Sequence, residues 1–219
     1  MKPNSIRMVC FDAGGVLVRI CRSWEEGCRV AGIEYRWSEV VQAGEAERVA
    51  ISNAYQRGEI ACSEFFEQMA TTAGGLYAAD DIRVVHDAWI LGEYPGVREL
   101  IDRLNGTDEL VTGLLSNTSA RHWEGLWMQG SPGGSAVGRI EHPHASHLLG
   151  LLKPGVEIYR AFEQETGYTG SEILFFDDLP ENVAAARAAG WRAEVIDFAG
   201  DTARQIAGHL AACGVGGQE

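Results

Sequence analysis

The stretch Ile6-Arg7-Met8-Val9-Cys10-Phe11-Asp12-Ala13-Gly14-Gly15 decides how the rest of the chain is read. It is a short, nearly continuous apolar run that stops at an acid and then at two glycines. Such a run reads as a buried strand followed by a tight turn. The format recurs at Glu109 to Leu115, which leads into Ser116-Asn117, and at Glu172 to Phe176, which leads into Asp177-Asp178. A further strand is expected at Ala193 to Ile196. Amphipathic stretches at Val97 to Leu104, Val156 to Glu165, Glu181 to Ala189 and Thr202 to Ala212 lie between and after these strands. The alternation predicts an α/β fold, a three-layer α/β/α core around a mostly parallel sheet. In such sheets ligands bind beyond the carboxyl ends of the strands, so the three polar termini are expected in one crevice.

Residues 18–91 break the alternation. They carry helical periodicity with no convincing strand, and Ser23-Trp24-Glu25-Glu26 has the form of a capping box. Val40, Val41, Ala43, Ala46, Val49, Ala50 and Ala54 fit one helical face. This block is expected to be a helical cap inserted into a core made of residues 1–17 and 92–219, with Tyr94-Pro95-Gly96 marking the return. Gly130 to Ser135 reads as a surface loop, and Gly214 to Glu219 as a frayed end.

With 46% hydrophobic and 22% charged residues among 219, the chain can bury a core. No segment approaches a membrane span, and the N-terminus is no secretory signal; the expectation is a cytoplasmic protein with no membrane partner. The five cysteines lack the pairing and spacing of a disulfide framework or zinc site, and are expected reduced and mostly buried. A net charge of −13 argues against nucleic acid as a partner. A small phosphate stays compatible with it, because a lysine, a metal ion and backbone N–H groups can outweigh a distant field. A monomer and a homodimer fit equally.

Phosphoryl transfer through an enzyme carboxylate requires a nucleophile, a cation, groups that hold the phosphate oxygens, and carboxylates that hold a metal. Asp12 is the candidate nucleophile, Ser116 and Asn117 the oxygen holders, Lys153 the cation, and Asp177 and Asp178 the metal carboxylates. Phe11 to Leu17, Leu114 to Thr118, Leu152 to Gly155 and Phe175 to Val183 together resemble the ordered motifs of the haloacid dehalogenase superfamily. The resemblance implies a Rossmann-like core with a helical cap, a Mg²⁺ cofactor and a small phosphorylated metabolite as substrate. It implies that Asp12 and Lys153 are catalytic, that Ser116, Asn117 and Lys153 bind phosphate, and that Asp12, the Gly14 backbone carbonyl, Asp177 and Asp178 bind the metal. Asn182 falls where the family often has a supporting polar residue.

Gly14 departs from the commonest phosphatase form of the first motif, which places a second aspartate there. That acid protonates the leaving group and activates water; the metal contact at this position is a backbone carbonyl, which Gly14 keeps. Glucose-1-phosphatase-like members resemble this chain in having Asp-x-Gly. General acid catalysis contributes about 10²- to 10⁴-fold, so the expected substrates have leaving groups that need little protonation, such as sugar 1-phosphates or acyl phosphates, or else the acid comes from the cap or the substrate.

Two rivals follow from the same residues. A metal-free 2-haloacid dehalogenase needs no second acid, because halide leaves unprotonated, but adjacent Asp177 and Asp178 repel each other without a cation. A catalytically silent relative that binds a phosphorylated ligand has no chemical need of Asp12, Lys153 and both acids. His142, His144 and His147 are expected at the surface or facing the cap. The six tryptophans read mainly as core, with Trp24 and Trp37 placed to face a substrate.

Overall fold

The computed structural model describes residues 5–36, 38, 42–128 and 135–215. Val40, Val41, Trp37, most of the Gly130 to Ser135 loop and residues 216–219 lie outside these, so the expectations attached to them are not addressed by the structure. β1 (Met8–Phe11) is the centre of a five-stranded sheet. β4 (Val111–Ser116) and β6 (Ile173–Asp177) flank it, and β5 (His142–Ala145) and β7 (Arg192–Val195) form the edges. All pairings within the sheet are parallel.

The pleat explains why these runs are apolar almost throughout. Met8, Cys10, Ile173 and Phe175 point to one face, where α8 (Val156–Thr166) and α9 (Pro180–Ala188) bring Ile158, Tyr159, Phe162 and Val183. Val9, Phe11, Leu174 and Phe176 point to the other, covered by Leu100 and Ile101 of α5 (Val97–Asn105) and Ile206 and Leu210 of α10 (Thr202–Ala212). The chain leaves β1 for β4 and β5, then crosses to β6 and β7 on the opposite side. The connections therefore diverge between β1 and β6, which opens a crevice at their carboxyl ends.

Between β2 (Val18–Ile20) and β3 (Ile90–Glu93) lie α1 (Trp24–Ala31), α2 (Glu45–Gln56), α3 (Cys62–Thr72) and α4 (Ala79–Asp87). These helices close on their own apolar cluster, with Ile51, Tyr55, Phe65, Phe66 and Val85 buried in it. β2 and β3 pair antiparallel and carry the chain into and out of the helical group. Two short strands thus stand where none was expected, because strands this brief are stabilised by pairing across some 70 residues of sequence and leave no periodicity.

The helical face expected on α2 is corrected. Val49 is 54% exposed, and Ala43, Ala46 and Ala50 also face solvent, whereas Ile51 and Tyr55 are buried. The larger side chains offer more apolar area to bury, and they determine the rotation of the helix. At α1, Ser23 Oγ accepts from Glu26 N at 3.1 Å as the capping box requires, but the Glu26 carboxylate accepts from Arg22 N at 2.8 Å.

The three histidines are partly exposed, and the His147 backbone lies against Gly58 of the helical group. His142 and His144 belong to edge strand β5, half-buried against Tyr168 and Phe162, and His147 Nδ1 faces the Thr118 carbonyl. Pro143 obscured this strand, yet an edge position tolerates its missing N–H. Cys10, Cys21 and Cys28 are buried and all five thiols are free, but Cys213 is exposed. No helix among the described residues is long and apolar enough to cross a membrane.

Candidate active site

Parallel register delivers Asp12 just past Phe11, which pairs with Leu114 on one side and Phe176 on the other. The Asp12 amide donates to Phe176 O at 2.8 Å, tying its backbone to the strand that ends in Asp177. Ser116 ends β4, and Lys153 arrives from the loop ahead of α8. All of these residues, with Asp178, are buried.

Lys153 is the hub of the cluster. Its Nζ lies 2.6 Å from Asp177 Oδ2 and 3.0 Å from Asp12 Oδ1, the second an ion pair without hydrogen-bond alignment. Burial alone disfavours the Lys153 ammonium, but the carboxylates of Asp12 and Asp177 outweigh it and hold the pKa above the usual lysine range. Burial pushes the Asp12 carboxyl up to about 6; Lys153 pulls it down, Asp177 and Asp178 push it up again, and a hydrogen bond from Ser116 favours the ionised form. Burial likewise raises Asp178, against the opposing pull of Arg22.

The two motif-four acids are held differently. Asp177 Oδ1 accepts from Leu179 N at 2.9 Å and from Asn182 Nδ2 at 3.0 Å. Its Oδ2 accepts from Lys153 and, at 3.1 Å, from Asn182 again. Both oxygens are therefore engaged. Asp178 is engaged at Oδ2 by Arg22 Nη1 at 2.6 Å, and the Arg22 guanidinium also stacks 3.7 Å from the Phe198 ring centroid. Gly15 makes this approach possible: its φ is +80°, and a Cβ there would stand 2.4 Å from Asp178 Oδ2.

Asn117 has a use beyond the one expected. Its Nδ2 donates to Lys153 O at 2.9 Å and its Oδ1 accepts from Lys153 N at 3.0 Å, so the amide clamps the lysine's backbone. The clamp positions Lys153 and leaves the second Nδ2 hydrogen of Asn117 open to a phosphate oxygen.

Asp12, Asp177 and Asp178 each offer a carboxylate oxygen, and these lie within 4.8 Å of one another. Three buried carboxylates with raised Asp12 and Asp178 pKa values, served by Lys153 and Arg22, fit a hard divalent cation bound through oxygen. Beside the cluster, between the sheet's carboxyl edge and the helical group, lies a cavity of about 290 Å³ bordered by Gly14, Ser116 and Trp24. Among the contacts that join the walls, the His86 and His122 rings stack at 3.6 Å between centroids, and Arg121 Nη2 pairs with Asp87 Oδ2 at 2.6 Å.

A model of the haloacid dehalogenase-like hydrolases matches residues 6–190. The chain belongs to this family. The hydrolase is 28% identical over 214 residues to Phosphatase MT3486 of Mycobacterium tuberculosis, covering 96% of each chain. Its fold is similar to that of the HAD family enzyme bt-2542 of Bacteroides thetaiotaomicron in complex with magnesium and inorganic phosphate. That likeness has a TM-score of 0.74 at 21% identity, over 92% of this chain and 99% of the other. It is also similar to L-2-haloacid dehalogenase of Xanthobacter autotrophicus with chloropropionic acid covalently bound, with a TM-score of 0.61 at 20% identity, over 94% and 83%.

Sequence reasoning missed Arg22, Ile20 and the His86–His122 pair in this hydrolase. None carries a local signal. Arg22 meets Asp178 across 156 positions, a contact made where the chain leaves the sheet for the helical group.

Proposed function

We propose that this hydrolase cleaves small phosphate monoesters with Mg²⁺, through an aspartyl-phosphate on Asp12. The observation that carries the reading is the buried cluster of Asp12, Asp177 and Asp178 around Lys153. Asp12, Asp178 and the Gly14 backbone carbonyl would hold the cation, with Asp177 behind them. Bound Mg²⁺ would neutralise charge on the phosphate and orient it. An Asp12 carboxylate oxygen attacks phosphorus, the bond to the leaving oxygen breaks, and that oxygen departs with the electron pair. Lys153 and the Ser116 hydroxyl stabilise the phosphoryl oxygens as charge builds on them. Water then cleaves the acyl phosphate, releasing inorganic phosphate and restoring Asp12. Residues 18–91 serve as the cap over this site, and the family phosphatase relative and the magnesium–phosphate complex of a structural neighbour support the same reading.

The dehalogenase reading draws on the fold likeness to haloacid dehalogenases. The acidic cluster weighs against it, because three carboxylates packed this closely call for a cation that halide displacement does not use. The deciding experiment is phosphate release from a metabolite panel with and without Mg²⁺, with 2-chloropropionate and halide detection alongside. Mg²⁺-dependent release abolished by Asp12→Asn is the expected result. Halide release without metal would replace the phosphatase reading, and silence on every substrate would favour a ligand-binding relative.

A further inference from the structure

The cavity beside Gly14 is where a leaving group would sit, and its walls have a definite chemistry. Among the described residues that line it there is no Lys, Arg, Asp or Glu. His86 and His122 are neutral there, because burial depresses both pKa values. A carboxylate, ammonium or second phosphate on the leaving group would lose its hydration without a partner. Several polar side chains in the wall are already committed. The Tyr55 hydroxyl donates to Cys62 Sγ at 3.2 Å, His122 Nε2 faces His86 O at 2.7 Å, and the Asn117 amide holds Lys153. Ser52, Gln56, Thr118 and Ser119 keep polar groups in the wall, enough to meet a few ligand hydroxyls but set within a larger apolar surface. Rings and aliphatic chains make up much of the remaining wall, with Trp24, Phe65, Trp89, Met69 and Ile82 among them.

The position of the missing acid belongs to this apolar wall. A Cβ built on Gly14 would lie 3.0 Å from Ile20 Cδ1, so hydrocarbon borders the place from which an aspartate would protonate the leaving oxygen. An alkoxide, the conjugate base of an alcohol with pKa near that of water at ~16, departs poorly without such an acid, whereas a phenolate, with a parent pKa of about 10, does not need it to the same degree.

Resting on the phosphatase reading above, we infer that the preferred substrate is an aryl phosphate monoester whose leaving group is a compact, uncharged aromatic alcohol held in the cavity between Ile20, Phe65 and Trp89. Asp12 displaces the phenolate, which takes its proton from solvent after the bond to phosphorus has broken.

Intrinsic reactivity also favours aryl esters, so the test needs a binding readout. Phosphate release with Mg²⁺ is compared for phenyl phosphate, glucose 1-phosphate, acetyl phosphate and glycerol 3-phosphate, and benzylphosphonate and methylphosphonate are measured as competitive inhibitors. The expected result is the highest kcat/KM for phenyl phosphate and a benzylphosphonate affinity about 10- to 100-fold above methylphosphonate, from burial of one ring. Met69→Lys, which places a cation in the wall, should reduce that affinity ratio while folding is checked by circular dichroism. Equal affinities for the two phosphonates, with Asp12-dependent release from a sugar phosphate, would overturn this inference and leave the phosphatase reading standing. Absence of release from all four esters in folded protein would overturn both.

Discussion

At the scale of single residues, the site is a problem of buried charge solved by Lys153. Its side chain is 1% exposed and its ammonium serves Asp12 and Asp177 together. Lys153→Met leaves those carboxylates facing each other, and breaking a buried pair costs about 3–5 kcal/mol. Urea denaturation without metal should report a loss of that size, narrowed by added Mg²⁺, and the proposed turnover should fall by about 10²- to 10³-fold. The unequal engagement of the two neighbouring acids leads to a second expectation. Asp178→Asn should weaken Mg²⁺ binding in calorimetry with little change in metal-free stability, whereas Asp177→Asn, which removes an acceptor shared by Lys153, Asn182 and Leu179, should lower both. Asp12 and Lys153 were legible in the sequence because each stands in a motif. Asn117 was legible as a site residue but its clamp on Lys153 was not, since nothing in Ser116-Asn117-Thr118 reveals that its amide faces the backbone of residue 153.

At the scale of elements, strands and helices with a strong period were readable, and those held by distant pairing were not. The run ending at Phe176 and the stretch from Thr202 to Ala212 fold close to where their patterns place them. β5 was missed because Pro143 and two histidines mask a strand whose ladder partner is β4. The rotation of α2 was misread because a face of alanine and valine competed with one carrying Ile51 and Tyr55, and only the packing of α3 and α4 decides between them. α8 is the element that follows Lys153, and Phe162, fully buried against Trp191 and His144, fastens it to the sheet. Phe162→Ala should cost about 3–5 kcal/mol in chemical denaturation.

At the scale of the whole molecule, the helical group is joined to the sheet by a contact that is sensitive to acid. His86 on α4 stacks on His122 of α6 (Ala120–Met128), with Asp87 and Arg121 beside them. Burial, the His122 ring and Arg121 drive His86 down to about 2 from its ordinary 6.5, although Asp87 pulls the other way. Below about pH 6.5 the unfolded chain takes up a proton that the folded chain excludes, so the stability present at neutral pH is lost progressively as pH falls from 6.5 towards 2. The slope approaches about 1.4 kcal/mol per pH unit for this histidine. Asp12, raised to about 6, contributes in the opposite direction below that pH, so the test is a difference between variants. His86→Phe, in a position surrounded by Tyr55, Phe65 and Phe66, should fold and should lose less stability than the parent chain between pH 6.5 and 4.5 in thermal melts.

The opening stretch from Ile6 to Gly15 revealed the central strand, and its recurrence in alternation with amphipathic stretches determined the fold class, because a strand buried on both faces is apolar nearly throughout and its carboxyl end must turn. The order of the later motifs then placed Asp12, Lys153, Asp177 and Asp178 in one crevice, since parallel strands deliver their ends to the same edge. Tertiary structure alone decided what surrounds them: the clamp of Asn117 on Lys153, the Arg22 guanidinium on Asp178, and the apolar wall that Ile20 sets against Gly14. The first two join residues 36 and 156 positions apart, and the third depends on how the turn after β1 folds back, so local pattern holds no record of them.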